Sequence, residues 1–439
     1  MNNKPMVAVV GRPNVGKSTF FNKVCGKRIA IVKDMPGVTR DRIYADAEWC
    51  GHNFTLIDTG GLELKSDDKM FVHIRKQAMA AMELADVIVF FTDGRDGPVA
   101  SDYDVAELLR TTSKPVVLAV NKLDNFELEK TYDFYELGLG EPFAVSCEQG
   151  KGLGEVLDAI VEHFPKNDEE SQDEGLRIAV VGKPNVGKSS LVNKLLGFER
   201  VIVSDVAGTT RDAIDTPIEV DGNSYVLIDT AGLRRKRGIE DDTVESYSVM
   251  RTLSAVRRAD VVLIVIDSSE EMSEQDVRIA GFVHEEGKPS VIVMNKWDKV
   301  EKDSHTINKH KQKLETDLAF MSYFKSLFVS AETGLRVNKL LELAMEVYAH
   351  ASTRIATGVL NDIVGQAVAM TEPPAFAGRR LKIYYASQQR SNPPRFTFYV
   401  NDTKLVHFSY ERYLENYLRK SFDFSGTPIS LEFKGKEEK

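Results

Sequence analysis

Two stretches of this 439-residue chain carry residues that can hold a polyphosphate. Gly11-Arg12-Pro13-Asn14-Val15-Gly16-Lys17-Ser18-Thr19 and Gly182-Lys183-Pro184-Asn185-Val186-Gly187-Lys188-Ser189-Ser190 both fit the pattern Gly-x-x-x-x-Gly-Lys-Ser. The glycines let the backbone curl until successive N–H groups converge on phosphate oxygens. A helix starting at the lysine adds the partial positive charge of its N-terminus. Lys17 and Lys188 are placed to reach the β- and γ-phosphates, and Ser18 and Ser189 to hold Mg²⁺. A chance glycine-rich turn does not recur twice in the same setting.

Each loop is followed by the same series of motifs. Gly37-Val38-Thr39-Arg40-Asp41 returns as Gly208-Thr209-Thr210-Arg211-Asp212, and Asp58-Thr59-Gly60-Gly61 as Asp229-Thr230-Ala231-Gly232, both at the 171-residue offset of the loops themselves. Asp58 and Asp229 end apolar strands, where a carboxylate can bind Mg²⁺ through water while Gly61 and Gly232 offer N–H groups to the γ-phosphate. The hydroxyls of Thr39 and Thr210 can close onto Mg²⁺ and the γ-phosphate and order their loops only with a triphosphate. Asn121-Lys122-Leu123-Asp124 and Asn295-Lys296-Trp297-Asp298 come next. A carboxylate at the last position can accept from N1–H and N2–H of guanine, whereas adenine would leave it facing an acceptor and a C–H. Ser146-Cys147 and Ser330-Ala331 can turn N–H groups toward guanine O6.

These residues need a scaffold that brings distant segments to one edge. In the first copy, Met6–Val10 is a continuous apolar run, as in a strand covered on both faces. Similar runs follow at 53–57, 86–92, 115–120 and 142–145, with helical stretches at 72–84 and 101–110 and a helix start near Lys17. The pattern predicts an α/β fold in each copy, a mostly parallel sheet flanked by helices, with the motif loops at the carboxyl ends of the strands. Residues 1–164 read as the first nucleotide-binding domain and 176–351 as the second. Between them, 165–175 is acidic and reads as a flexible linker. Residues 352–439 read α-β-β-α-β, with helices at 354–370 and 409–422 and strands at 381–386, 395–400 and 428–433.

The five motifs in order look like a translation-factor-class GTPase domain. Two such domains in tandem before a short α+β domain resemble the EngA (Der) family of bacterial GTPases, and the resemblance covers essentially the whole chain. It implies hydrolysis of GTP to GDP and phosphate with Mg²⁺, a KH-like last domain, and a nucleotide-dependent role in assembling the large ribosomal subunit on rRNA. The glutamine that orients water in Ras-like GTPases is replaced by Leu62 and Leu233, so hydrolysis is expected to be slow without help. In related GTPases lacking that glutamine, an asparagine at the position of Asn14 and Asn185 helps hold K⁺, so the resemblance implies K⁺ stimulation. Two other readings stay open: an RNA-binding scaffold that uses GTP as a conformational ligand, and a GTPase of tRNA modification.

Composition narrows the partners. Net charge is −9, yet residues 352–439 hold 13 Lys and Arg against 9 Asp and Glu, leaving −13 on the rest. Phosphate contact is therefore expected locally; for Arg379, Arg380, Lys382 and Arg390 two readings stay open, contact with RNA or docking of this surface on the GTPase domains. The aromatics there (Phe396 and Phe398 at strand spacing, Tyr410, Tyr413 and Tyr417 on one helix face) read mainly as packing. No Gly-x-x-Gly, the backbone clamp of RNA-binding KH domains, occurs after Ala351. The second copy carries a basic run, 234–237, where the first has Glu63-Leu64-Lys65. Three cysteines give no disulfide framework, so a reducing, cytoplasmic setting is expected; no run is long enough to span a membrane, and a monomer is the default expectation.

Overall fold

The computed structural model describes residues 5–25, 44–58, 78–79, 81–82, 85–124, 128–164, 175–198, 201–203, 215–229, 244–303, 305–376 and 379–435. The chain forms two compact units, one of Met1–Ser171 with Glu240–Arg251, the other of Gln172–Ile239 with Thr252–Lys439. All of the expected linker but Gly175 and most of the expected 72–84 helix lie outside the described residues. Among the described residues, no helix is long and apolar enough to cross a membrane.

In the first unit, β1 (Met6–Val10) leads into α1 (Lys17–Cys25), followed by β2 (Tyr44–Trp49), β3 (His52–Asp58), β4 (Val87–Asp93), α2 (Ala100–Leu109), β5 (Val116–Asn121), β6 (Pro142–Ala144) and α3 (Leu153–Glu162). The six strands lie in the order β2-β3-β1-β4-β5-β6. All neighbours are parallel except the β2–β3 edge pair. Every residue of β1 and β4 is buried, because apolar layers cover both faces: Ala8, Val10, Ile88 and Phe90 on one side, Val7, Val9, Val89 and Phe91 on the other. β2 has no apolar run to announce it. Its signal is the turn it shares with β3, where Cys50 and Gly51 both take left-handed backbone (φ 47° and 81°), as a two-residue hairpin of the right twist requires.

The second unit repeats this plan with β7 (Leu176–Val181), α4 (Lys188–Leu196), β8 (Val201–Val203), β9 (Thr216–Val220), β10 (Asn223–Ile228), β11 (Val261–Asp267), α5 (Glu274–Glu285), β12 (Ser290–Asn295), α6 (Thr306–Asp317), β13 (Lys325–Phe328) and α7 (Lys339–Ser352). Seven strands run in the order β13-β12-β11-β7-β10-β9-β8. The β9–β10 turn is Asp221-Gly222, again left-handed at both residues.

The same unit contains the last domain: α8 (Thr357–Met370), a short hairpin of β14 (Ala375–Phe376) and β15 (Arg379–Arg380), β16 (Ile383–Arg390), β17 (Arg395–Val400), α9 (Phe408–Ser421) and β18 (Ser430–Gly435). β16 is antiparallel to β17, and β17 is parallel to β18, so this sheet is mixed. Phe396 and Phe398 are fully buried against Leu360 and Val364 of α8 and Leu414 and Leu418 of α9. Tyr410 is buried too, and the hydroxyls of Tyr410 and Tyr413 donate to the carbonyls of Thr371 and Ala367. These rings pack rather than present themselves, whereas Tyr384, Tyr385, Tyr399 and Phe408 stay exposed. β16 runs four residues beyond the expected end at Ala386. Its polar stretch reads as loop in sequence, but Gln388 is buried, accepting from Ile355 N at 2.7 Å and donating to Thr353 O at 2.9 Å.

Candidate functional site

The first motif of each copy sits between a buried strand and a helix starting at its lysine, Lys17 or Lys188. The spacing is sterically enforced. A Cβ on Gly11 would collide with the Phe91 carbonyl of β4, and one on Gly16 with the side-chain amide of Asn121. Gly182 meets Val265 and Gly187 meets Asn295 in the same way. Asn14 and Asn185 both hold φ at 65°, a left-handed value that asparagine tolerates better than most residues. The same backbone is thus built twice, 171 residues apart.

Within the loop, the Lys17 ammonium donates to the carbonyls of Gly11 at 2.6 Å and Arg12 at 2.8 Å. Lys188 bridges Gly182 and Lys183 at 2.6 and 2.7 Å. Burial pulls the Lys17 pKa down to about 8, with the Asp58 carboxylate opposing the shift. The side chains of Arg12 and Lys183 turn away from the loop. Arg12 pairs with Asp96 at 2.8 Å and lies 3.8 Å from buried Asp102. Lys183 pairs with Glu270 and buried Asp276 at 3.2 and 3.3 Å. What these two residues offer a ligand is main chain. Pro13, Pro184, Thr19 and Ser190 are exposed, while Val15 and Val186 are core residues.

Ser18 Oγ donates to Asp58 Oδ2 at 2.9 Å, so a hydroxyl and a carboxylate 40 residues apart meet beside the lysine. This hard oxygen pair has the chemistry of a Mg²⁺ site. Asp229, at φ 57°, donates its amide to Asp215 Oδ1 at 3.0 Å. Ser189 is the second residue of α4. Thr39, Thr59, Gly60, Gly61, Thr210, Thr230, Ala231 and Gly232 lie outside the described residues, as do Leu62, Leu233 and the basic run 234–237.

The Asn-Lys-x-Asp segments show a division of labour that the sequence did not disclose. The Asn121 side chain donates to Val15 O at 2.7 Å and accepts from Cys147 N at 2.9 Å. Asn295 donates to Val186 O at 2.8 Å and accepts from Ala331 N at 3.0 Å. Each asparagine therefore staples the phosphate loop to the Ser-Cys or Ser-Ala loop and sets the distance between them. Lys122 and Lys296, at φ 68° and 58°, pair with Asp93 at 2.6 Å and Asp267 at 2.5 Å.

The two terminal aspartates differ. Asp124 accepts from Ser146 Oγ at 2.7 Å and pairs with Arg95, and these two contacts hold its carboxyl below the usual range. Asp298 Oδ1 is buried and has no hydrogen-bond partner among the described residues. A buried carboxylate oxygen without a donor costs more than the ~1–3 kcal/mol of a neutral unsatisfied group, and the N1–H, N2–H edge of guanine supplies a donor. Arg95 and Asp93 are site residues that motif reading missed; only the partnership in space reveals them.

A family model described as "50S ribosome-binding GTPase" matches residues 6–122 and again 177–296, and one described as "KH-domain-like of EngA bacterial GTPase enzymes, C-terminal" matches 354–434. The chain is 56% identical over 437 residues to the GTPase Der of Clostridium tetani and, at the same identity and length, to that of Clostridium novyi. Both alignments take in 99% of this chain and all of the relative. A crystal structure of a variant of Aquifex aeolicus Era bound to GDP·AlF4⁻ aligns at 22% identity with TM-score 0.30, over 59% of this chain and 92% of that one, a likeness too loose to add weight. The resemblance read from the motifs is thereby met along the whole length, and the chain belongs to the EngA (Der) family of bacterial GTPases and is a GTP hydrolase.

Proposed function

We propose that this chain is a double guanine-nucleotide switch serving assembly of the large ribosomal subunit, in contact with rRNA-containing particles, in the cytoplasm and as a monomer. Its working parts would be two GTPase domains, 1–164 and 176–351, a linker at 165–175, and a KH-like domain at 352–439. The duplicated site carries this reading. In each copy a buried strand, a lysine-capped loop and an aspartate-bearing loop are held at one separation by an asparagine.

Lys17 and Lys188 neutralise charge on the β- and γ-phosphates, and the loop amides from Gly11 to Thr19 and from Gly182 to Ser190 cradle them. Asp124 and Asp298 read guanine, with the Ser146-Cys147 and Ser330-Ala331 loops at O6. Ser18 with Asp58, which meet at 2.9 Å, fit Mg²⁺, and Ser189 and Asp229 would hold it in the second copy by their motif positions; when bound, the ion supplies charge neutralisation to the phosphates. Thr39 and Thr210 close on the γ-phosphate and Gly61 and Gly232 donate to it, so the loops that carry them report which nucleotide is present. In the GTP state the purified protein is expected to co-sediment with 50S subunits, and in GDP to release them. Equal recovery with GDP and a non-hydrolysable GTP analogue would refute the switch.

K⁺ is proposed at Asn14 and Asn185, whose left-handed backbone holds their side chains on the exposed rim of the phosphate loop. With Leu62 and Leu233 in place of a water-orienting side chain, a cation at that rim replaces missing positive charge in the transition state. Steady-state turnover is expected to rise roughly tenfold or more in KCl over NaCl at matched ionic strength. Equal rates in the two salts would remove K⁺ from the account.

A further inference from the structure

The first copy carries an exposed feature that nucleotide chemistry does not require. A 3₁₀ helix runs over Leu128–Leu137, just after the base-reading loop. Such helices rarely exceed three or four residues, because side chains three apart eclipse one another. Here the three-residue period sorts the side chains into rows. Thr131, Phe134 and Leu137 are buried, while Glu129, Tyr132 and Tyr135 form one exposed row and Lys130, Asp133 and Glu136 another. Tyr132 and Tyr135 are 65% and 50% exposed. Their rings lie 20° from parallel with centroids 6.4 Å apart, about the ~6 Å advance of one 3₁₀ turn.

Helix α2 extends this face. Tyr103 is 37% exposed and its hydroxyl donates to Glu136 at 2.8 Å. Asp104 and Glu107 are exposed beside it, and Arg110 lies near Gly138 at the end of the run. Carboxylates thus outnumber cations around the stacked rings. The second copy places the α-helix α6 at the corresponding point of its chain, with Lys309, Lys311 and Lys313. The GTPase fold therefore does not demand a tyrosine ladder here.

An exposed aromatic face ringed by carboxylates suits a cation, which can lie over a ring and pair with an acid at once. It repels phosphate, which disfavours RNA as the occupant. An extended chain presents every second side chain on one side at a spacing of ~6.7 Å, close to the 6.4 Å between the two rings. We infer that the Tyr132–Tyr135 ladder, with Asp133 and Glu136, is a docking surface for an extended protein segment bearing arginine or lysine at alternate positions.

The test uses the full chain and two fluorescein-labelled pentapeptides of one composition, Arg-Gly-Arg-Gly-Arg and Arg-Arg-Arg-Gly-Gly, read by anisotropy at 100 mM salt. The alternating peptide is expected to bind about fivefold tighter than its clustered isomer. Tyr132→Ala with Tyr135→Ala should weaken it about tenfold, and Tyr132→Phe with Tyr135→Phe should restore most of that. Glu169→Gln with Glu170→Gln, remote in sequence, should change nothing. Unchanged thermal melting and GTP turnover in the alanine pair show that the fold is intact. The inference is overturned if neither peptide binds, if the alanine pair binds like the parent, or if the 169/170 pair weakens binding as much, which would mean diffuse attraction to an acidic chain. It is equally overturned if labelled oligouridylate takes the ladder more tightly than the peptide, or if sedimentation shows the ladder joining two copies of this chain.

Discussion

Asp298→Asn is expected to lower GTP affinity at the second site roughly a thousandfold and to create affinity for xanthosine triphosphate in its place. The carboxylate of Asp298 holds one buried oxygen without a hydrogen-bond partner among the described residues, an acceptor poised for the N–H edge of guanine. An amide nitrogen there would face guanine N–H groups donor to donor, while the 2-oxo group of xanthine would accept from it. Asp124→Asn is expected to cost less, roughly ten- to a hundredfold, because Ser146 and Arg95 already occupy that carboxylate and guanine must compete with them. Calorimetry with GTP and XTP on the single variants separates the two sites. Equal losses at both would contradict the asymmetry, and no gain of XTP binding in either would take Asp298 out of base reading.

Removing the loop lysines should strike the chemical step. Lys188→Ala and Lys17→Ala each delete a fixed cation whose neighbours are backbone carbonyls. The rate at the affected site is expected to fall roughly a hundred- to a thousandfold in single-turnover assays, the range for loss of one preorganised charge. The doubly substituted protein should be inactive above background. Persistence of turnover in it would place hydrolysis elsewhere. Lys17 adds a pH signature. Burial pulls its pKa down to about 8 in the free protein, and bound phosphates would raise it. Binding above that pH must then take up a proton, so nucleotide affinity at the first site should decline as pH rises through about 8. The decline should vanish in Lys17→Ala.

Both copies of the fold were legible because each central strand is buried on two faces and so reads as an unbroken apolar run, Met6–Val10, or nearly so, Leu176–Val181. Short edge elements were less legible. β2 carries Ala, Asp and Glu between its larger residues, and only the left-handed turn at Cys50-Gly51 marks its pairing with β3. The far half of β16 reads as loop, since the burial of Gln388 depends on carbonyl and amide partners more than thirty residues away. In the last domain, periodicity assigned Phe396, Phe398 and Tyr410 to the core, where they lie.

The sequence by itself determined the chemistry on offer. Glycine spacing, lysine, serine and aspartate in fixed order specify a phosphate loop and a base reader, because those preferences are local and repeat with the residues. Tertiary structure decided how the pieces are held. It joined Asn121 to Val15 and Cys147, brought Ser18 to Asp58, paired Arg95 with Asp124, and left Asp298 with an acceptor unmatched among the described residues. It also turned an acidic, tyrosine-bearing stretch into a 3₁₀ ladder. Each of these depends on which side chain meets which across the fold. That is fixed by strand order and burial, and no local preference encodes it.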